Sequence, residues 1–199
     1  MSTGRMEAFS DGVLAIVITV MVLELPTPHG TTWGALHDAL PVLLSYVLSF
    51  VYIGIYWSNH HHMLQATDRV TGLILWANLH LLFWLSLVPF TTAWMGENHF
   101  AATPAAAYGL VLLAAAAAYY ALQEAIIRDQ GPASRLARAV GRDRKGRASP
   151  FLYATAVGLS FVDRWLAVAI YVGVALMWLV PDRRVERTMA ARAGDTTDG

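Results

Sequence analysis

The sequence predicts an all-α, polytopic membrane protein with six transmembrane helices and with both termini in the cytoplasm. Of its 199 residues, 56% are hydrophobic and only 14% are charged, and the mean hydropathy of +0.46 lies above that of soluble domains. Six spans of about 20 residues would use about 120 residues, which leaves no room for a separate catalytic domain. We therefore expect a membrane protein that is not an enzyme. The absence of cysteine excludes disulfides and thiolate chemistry.

Apolar segments separated by polar loops define the first four spans. The predicted bounds are 6–25 for span 1, 40–64 for span 2, 70–95 for span 3 and 103–127 for span 4. Pro26 and Pro28 end span 1, because proline cannot continue a helix. Pro89 lies inside span 3, where we expect it to kink the helix.

The basic residues predict how the remaining chain crosses the membrane. Thirteen of the 14 lysines and arginines lie before span 1, between spans 2 and 3, at 128–147 or at 183–192. Because cytoplasmic loops collect Lys and Arg, both termini and the basic segment after span 4 should be cytoplasmic. A single helix between the last two basic segments would separate them. We therefore predict two short spans, 150–162 and 165–180, joined by a turn at Asp163 and Arg164.

This topology divides the chain into two parts. Residues 1–186 form a six-helix transmembrane unit, and residues 187–199 form a polar, disordered cytoplasmic tail. A multi-pass protein of this kind belongs in the inner (plasma) membrane. Its arginine-rich segment could attract anionic lipid head groups, so we expect lipids but no nucleic acid as partners.

Span 1 carries two carboxylates, although ionisable groups are costly inside a bilayer. Glu7 and Asp11 are four residues apart and therefore lie on one side of the helix. The other side is almost wholly apolar, and it holds Phe9, Gly12, Ile16, Thr19, Val20 and Leu23. Span 1 thus has two faces, and the carboxylate face needs polar partners.

The predicted topology brings polar residues of spans 2 and 3 to the same side of the membrane as Asp11. These residues are His60, His61, His62, Asn78 and His80. A network that joins them to Ser10 and Asp11 would satisfy buried donors and acceptors.

Such a network has more than one interpretation. The simplest is that it only holds helices together. A metal site that uses His60 or His61 with Asp11 and His80 is conceivable, but the sequence has no His-Glu-x-x-His pattern, and we predict no metal. A proton relay or a transporter would use the same groups, although the chain shows no clear internal repeat.

Four residues at the start of span 1, Arg5, Phe9, Ser10 and Asp11, form an Arg-x-x-x-Phe-Ser-Asp motif. Further features are Trp57, His60 and His61 in span 2, Asn78 and Pro89 in span 3, and Trp178 followed by Leu-Val-Pro-Asp-Arg-Arg in the last span. Together they resemble the bacterial branch of the transmembrane protein 175 family, which comprises endolysosomal potassium channels. The likeness covers nearly the whole chain.

The resemblance implies a homotetramer in which span 1 of each subunit lines a central cation path. By their positions after the motif, Ile16, Val20 and Leu23 would form apolar constrictions that gate by dewetting. The hydroxyl of Thr19 would help to select potassium. Potassium ions would permeate, and no cofactor is implied. The family lacks the Thr-Val-Gly-Tyr-Gly filter, and so does this sequence.

We therefore predict a passive, potassium-permeable channel. The alternative is a proton-permeable or proton-coupled cation pathway, or a transporter, that uses Asp11 and the histidines of spans 2 and 3. A purely structural membrane protein is the third hypothesis.

Overall fold

All regular secondary structure is helical in the computed structural model, which describes residues 2–140 and 144–179. The helices are α1 (Thr3–Leu23), α2 (Trp33–Asp38), α3 (Leu40–Gln65), α4 (Gly72–Ser86), α5 (Val88–Glu97), α6 (Ala102–Gln130), α7 (Arg135–Val140), α8 (Arg144–Leu159) and α9 (Arg164–Leu179). The end of the predicted last span and the tail at 187–199 lie outside the described residues.

Four helical segments are long and apolar enough to cross a membrane, and they are α1, α3, α4 with α5, and α6. They match predicted spans 1 to 4 to within a few residues at each end. Helix α9 is apolar but shorter, with 16 residues, and α8 begins with basic residues. The protein is therefore an all-helical, multi-pass membrane protein, whereas the count of six spans and the cytoplasmic termini stay predictions.

The predicted kink in span 3 is a break at Leu87, two residues before Pro89. Leu87 ends α4 and caps α5, so Pro89 lies in the first turn of a new helix. The first amides of a helix have no partner within it, so a proline there removes no helical hydrogen bond.

The second helical pair begins earlier than predicted. Helix α8 starts at Arg144 rather than at Pro150, because the basic residues before the proline already form a helical turn. The turn after α8 contains Asp163, whose Oδ1 accepts a hydrogen bond from Trp165 N at 2.8 Å. Asp163 thus caps α9, and Arg164 is the first residue of that helix instead of part of the turn.

Two predicted loops also contain short helices. The segment after span 1 includes α2, and the basic segment after span 4 includes α7 together with the start of α8.

One end of the helix bundle, which we name the basic end, is joined by contacts between chain segments that are distant in sequence. Arg69 Nε donates to Asp129 Oδ2 at 2.8 Å, and this partner raises the pKa of Arg69. Arg135 Nε lies 4.0 Å from Asp68 Oδ1. Thr3, at the start of α1, donates a hydrogen bond to the backbone of the α3–α4 turn. The start of α1, the α3–α4 turn, the end of α6 and α7 therefore meet at the basic end.

At the opposite end, the α5–α6 turn contacts the first turn of α9. There the ring of Phe100 packs on Trp165, with 5.8 Å between the ring centroids. Between the two ends, α1 packs against α3, α4 and α5, whereas α6 packs against α4, α5, α8 and α9. The first helix is therefore held by one group of neighbours and leaves one side uncovered.

Candidate ion pathway and its polar support

Helix α1 has one buried and one bare face. The buried face follows a helical spacing and comprises Met6, Ser10, Leu14, Val17 and Met21. The bare face includes the predicted pore residues. Ile16 is 64% exposed, Val20 37% and Leu23 77%. No part of the described protomer covers these side chains, so this apolar face must meet lipid or other copies of the chain.

Thr19 lies on the same bare face, and its hydroxyl donates to the backbone carbonyl oxygen of Ala15 at 2.8 Å. A hydroxyl that uses its proton in this way keeps its lone pairs as acceptors. Thr19 can therefore present an oxygen to a cation outside the protomer.

The opposite face of α1 is held by a chain of buried hydrogen bonds. Asn78 Nδ2, on α4, donates to Ser10 Oγ at 3.0 Å, and Ser10 Oγ donates to the carbonyl oxygen of Met6 at 2.8 Å. Asn78 Oδ1 lies 2.7 Å from His60 Nε2, on α3. Because the Asn78 amide nitrogen points at Ser10, its oxygen must accept, so His60 carries its proton on Nε2. One asparagine thus joins three helices.

The other ring nitrogen of His60, Nδ1, is buried and has no hydrogen-bond partner in the part of the chain that is described. His60 is only 1% exposed. An unpaired buried acceptor of this kind costs about 1–3 kcal/mol. His60 is consequently the least satisfied member of the network.

The two carboxylates of α1 pair with two residues of α3 that are also four positions apart. Trp57 Nε1 donates to Asp11 Oδ1 at 3.0 Å, and His61 Nδ1 lies 2.6 Å from Glu7 Oε1. Gln65 Nε2 lies 2.9 Å from the other ring nitrogen of His61. The helices are antiparallel, so equal spacing on both gives two matched pairs. Asp11 therefore bonds to tryptophan and not, as the sequence suggested, to the histidines.

His80, a predicted member of the network, lies elsewhere. It is exposed, and its Nε2 accepts a hydrogen bond from Trp84 Nε1 at 2.9 Å. Residues two positions apart on a helix point about 200° apart. Because Asn78 faces α1, His80 must point away from it.

Two members of the Arg-x-x-x-Phe-Ser-Asp motif, Arg5 and Phe9, also lie outside the network. Both side chains are exposed, and the Arg5 guanidinium makes no hydrogen bond or ion pair to the other described residues. The sequence reasoning in turn missed Gln65 and Trp84, although each is four residues after a histidine that it contacts. That spacing was the available signal.

Within residues 2–140 and 144–179, no three His, Asp or Glu side chains are arranged to bind a metal ion.

The chain is similar in sequence to known ion-channel proteins. A family model described as endosomal/lysosomal potassium channel TMEM175 matches residues 5–89, which include the motif and the whole polar network. A potassium channel of Chryseobacterium sp. (strain P1-3) is 50% identical over 189 residues, which cover 95% of this chain and 98% of that protein. The fold and these matches define an ion-channel protein.

A solved structure and a more distant relative extend the comparison. The crystal structure of a lysosomal potassium-selective channel TMEM175 homolog from Chamaesiphon minutus has a TM-score of 0.77 and 32% identity, with 89% of this chain and 96% of that chain covered. The endosomal/lysosomal proton channel TMEM175 of Gallus gallus is 36% identical over 101 residues, which are 45% of this chain but 20% of that protein. The chain belongs to the TMEM175 family, and the resemblance predicted from its motif is confirmed.

Proposed function

We propose that this protein is a subunit of a potassium-permeable channel that conducts passively. Four copies surround a central path in the inner membrane, with residues 1–186 as a six-helix unit and residues 187–199 as a cytoplasmic tail. The bare apolar face of α1 carries the proposal, because it lies opposite the polar face that anchors α1 to α3 and α4. The bacterial relative is named a potassium channel, which supports the choice of ion.

The proposed constrictions are Ile16, Val20 and Leu23, each repeated four times around the axis. Ile16 and Leu23 are seven residues apart along α1, which corresponds to about 10 Å of path at 1.5 Å per residue. Water fills a narrow apolar tube reluctantly, so these side chains gate conduction by dewetting. Thr19, next to Val20, supplies an oxygen that replaces part of the hydration shell of the ion.

The direct test is the purified protein in liposomes under a potassium gradient. Passive conduction generates a membrane potential close to that of the gradient, and a sodium gradient of equal size generates a smaller one. A potential that never develops in well-folded protein would contradict the channel and favour a structural role. Saturable flux that requires a counter-ion would favour a transporter.

Variants of α1 test the pore itself. Ile16→Asn should wet the constriction and increase the potassium leak, and Leu23→Ser should do the same, because each replaces an exposed apolar side chain with a polar one. Thr19→Ala should leave conductance nearly unchanged and shift the reversal potential towards sodium. Ala117→Ser, exposed on α6, is the control. Unchanged conductance in Ile16→Asn together with an unchanged reversal potential in Thr19→Ala would remove α1 from the pore.

Cysteine labelling tests the proposed topology. Because the sequence contains no cysteine, only the introduced thiol can react. Ala133→Cys, in the exposed turn after α6, should resist a membrane-impermeant thiol reagent in intact cells and react after lysis. Asn98→Cys, exposed at the opposite end of the bundle, should react in intact cells. The reverse pattern would place the basic end outside.

A proton pathway is the second candidate, and a specific observation favours it. Glu7, Asp11 and His61 form contacts between α1 and α3, His60 bonds to Asn78 of α4, and the vertebrate relative is named a proton channel. A pH gradient without potassium distinguishes the two. Rapid collapse of that gradient in liposomes, lost in Asp11→Asn, would favour protons.

A further inference from the structure

Arg5 lies on the bare face of α1, in line with the proposed constrictions. It precedes Leu23 by 18 residues, which is about five full helical turns, so the two side chains leave the helix in the same direction. Like Leu23, Arg5 is exposed. Ile16 follows Arg5 at a distance of about 16 Å along the axis, at 1.5 Å per residue. Arg5 therefore marks the beginning of the bare face at the basic end, well before the first constriction.

The guanidinium of Arg5 has no counter-charge among residues 2–140 and 144–179. Other arginines of the basic end each lie within 4.0 Å of a carboxylate, namely Arg69, Arg128 and Arg135. These pairs bring oppositely charged groups together and weaken the field of each arginine. The charge of Arg5 is not reduced in this way within the described protomer.

The two carboxylates of α1 lie on another side of the helix. Glu7 points about 200° away from Arg5 and lies 2.6 Å from His61, and Asp11 points about 120° away and accepts a hydrogen bond from Trp57 at 3.0 Å. Both carboxylates therefore face α3, behind a helix that is about 10 Å wide. The Debye length is about 8 Å at physiological ionic strength, so they offset the charge on the bare face only in part.

We propose that four copies of Arg5 form a ring of positive charge at the entrance of the ion path on the basic end, and that this ring limits the entry of potassium. The inference rests on the proposed function, because α1 must line a central path for the four side chains to meet. A ring of like charge lowers the local concentration of cations. Ile16 is about two Debye lengths further along the path, so the ring acts on conductance and not on the choice between potassium and sodium.

Single-channel currents of the full-length protein in planar bilayers measure the effect. Arg5→Gln should raise the potassium conductance about threefold at 0.1 M KCl, because four charges about 10 Å from an ion, screened over one Debye length, lower its concentration by about this factor. The difference should vanish at 1 M KCl, where the Debye length is about 3 Å. The potassium-over-sodium reversal potential should stay that of the native protein.

Two further variants separate charge from other effects. Arg5→Lys keeps the charge and should keep the native conductance. Arg138→Gln removes an exposed arginine of α7 at the same end of the bundle, and this matched control should leave the conductance unchanged. If Arg5→Lys conducts like Arg5→Gln, a specific guanidinium contact is responsible, and the charge ring is overturned.

Thiol chemistry can restore the charge in one channel during the recording, since the native sequence contains no cysteine. In Arg5→Cys, a methanethiosulfonate that carries trimethylammonium should lower the conductance towards the native value, and one that carries sulfonate should raise it. Both reagents add a group of similar size. An equal decrease with both reagents would mean that bulk, and not charge, limits the current.

The remaining outcomes distinguish the ring from the channel. Equal conductance of the native protein and Arg5→Gln at 0.1 M KCl would overturn the ring and leave the channel standing. Dissociation of the oligomer in Arg5→Gln would mean that Arg5 pairs with a neighbouring copy, which also excludes the ring. The absence of potassium current in the native protein and in every variant, with the oligomer intact, would instead contradict the proposed channel itself.

Discussion

The two ends of the membrane-embedded bundle are both held by buried polar contacts, but the contacts differ in chemistry. Towards the basic end, Ser10, Asn78 and His60 join α1 to α4 and α3. Towards the opposite end, Ser49 Oγ lies 2.6 Å from Thr92 Oγ1 and 3.0 Å from the Tyr108 hydroxyl, which joins α3 to α5 and α6. The first set contains an amide and an imidazole and includes α1. The second contains only hydroxyls and does not.

The two sets of contacts therefore hold different parts of the bundle: one joins α3, α5, α6 and α9 to each other, and the other holds α1 in place. The hydroxyl set continues through Tyr171, which accepts a hydrogen bond from Tyr52 at its carbonyl oxygen and donates its own hydroxyl to the carbonyl oxygen of Ala105 at 2.9 Å. It fixes α3, α5, α6 and α9 to each other. The contacts at the basic end instead fix the position of α1. Substitutions that break them should therefore affect assembly around the proposed path.

The largest effect is expected from Asn78→Leu. The substitution keeps the volume but leaves Ser10 without a donor and His60 Nε2 without an acceptor, at about 1–3 kcal/mol for each buried group. Thermal unfolding of the purified protein and its elution volume would measure the loss. Tyr108→Phe removes a single hydroxyl at the opposite end and should cost about 1 kcal/mol. Equal losses in the two variants would break the distinction between the two ends.

A smaller effect should follow from Gly109→Ala on α6, at the end held by hydroxyls. A Cβ there would meet the Tyr171 hydroxyl in a contact far too close to tolerate and would lie 2.9 Å from Val157 Cγ2. Overpacking of this kind costs about 1–3 kcal/mol. Gly173→Ala on α9, where nothing lies within 4 Å of the added Cβ, is the matched control.

Tyr171→Phe removes the nearest of the atoms that the new methyl group would meet in Gly109→Ala. The double variant should therefore recover part of the lost stability, and unfolding temperatures of the two single variants and the double variant give the coupling directly. If the double variant is no more stable than Gly109→Ala, the close approach of α6 and α9 is not limited by the tyrosine.

Helix bounds that depend on nearby residues could be predicted from the sequence. Bounds that depend on contacts with other helices were predicted less well. Pro89 and the apolar runs predicted spans 1 to 4, but periodicity could not show that the α4–α5 break falls at Leu87. Taking Pro150 as the start of the helix placed the beginning of α8 six residues too late, because this proline lies inside the helix. Short runs of apolar residues do not distinguish a helix that begins in a basic loop from one that begins in the membrane.

The candidate site shows the same limit. The projection of α1 predicted its two faces, and the structure leaves Ile16 and Leu23 bare as that projection requires. That projection could not show which histidine of α3 contacts which residue of α1 or α4, because three consecutive histidines on a helix point in three directions. Only the packed helices decide that His60 meets Asn78 while His61 meets Glu7. The sequence analysis grouped His80 with Asn78 because both lie on the same side of the membrane in the predicted topology. On α4, however, the His80 side chain points away from the network and contacts Trp84.

The smallest expected effect, and the one that most sharpens the comparison, concerns Asp11. Asp11→Ala removes the acceptor for the Trp57 indole, but Trp57 is 47% exposed, so we expect a loss of about 1 kcal/mol or less and weaker assembly. Asp11→Asn keeps an oxygen for the same hydrogen bond and removes only the charge. If the residue is structural, Asn should restore thermal stability, and both variants should keep the potassium-over-sodium reversal potential of the native protein. A well-assembled Asp11→Asn protein with altered selectivity would mean that the carboxylate acts on the permeating ion, and the basic-end contacts would then belong to the path instead of only supporting it.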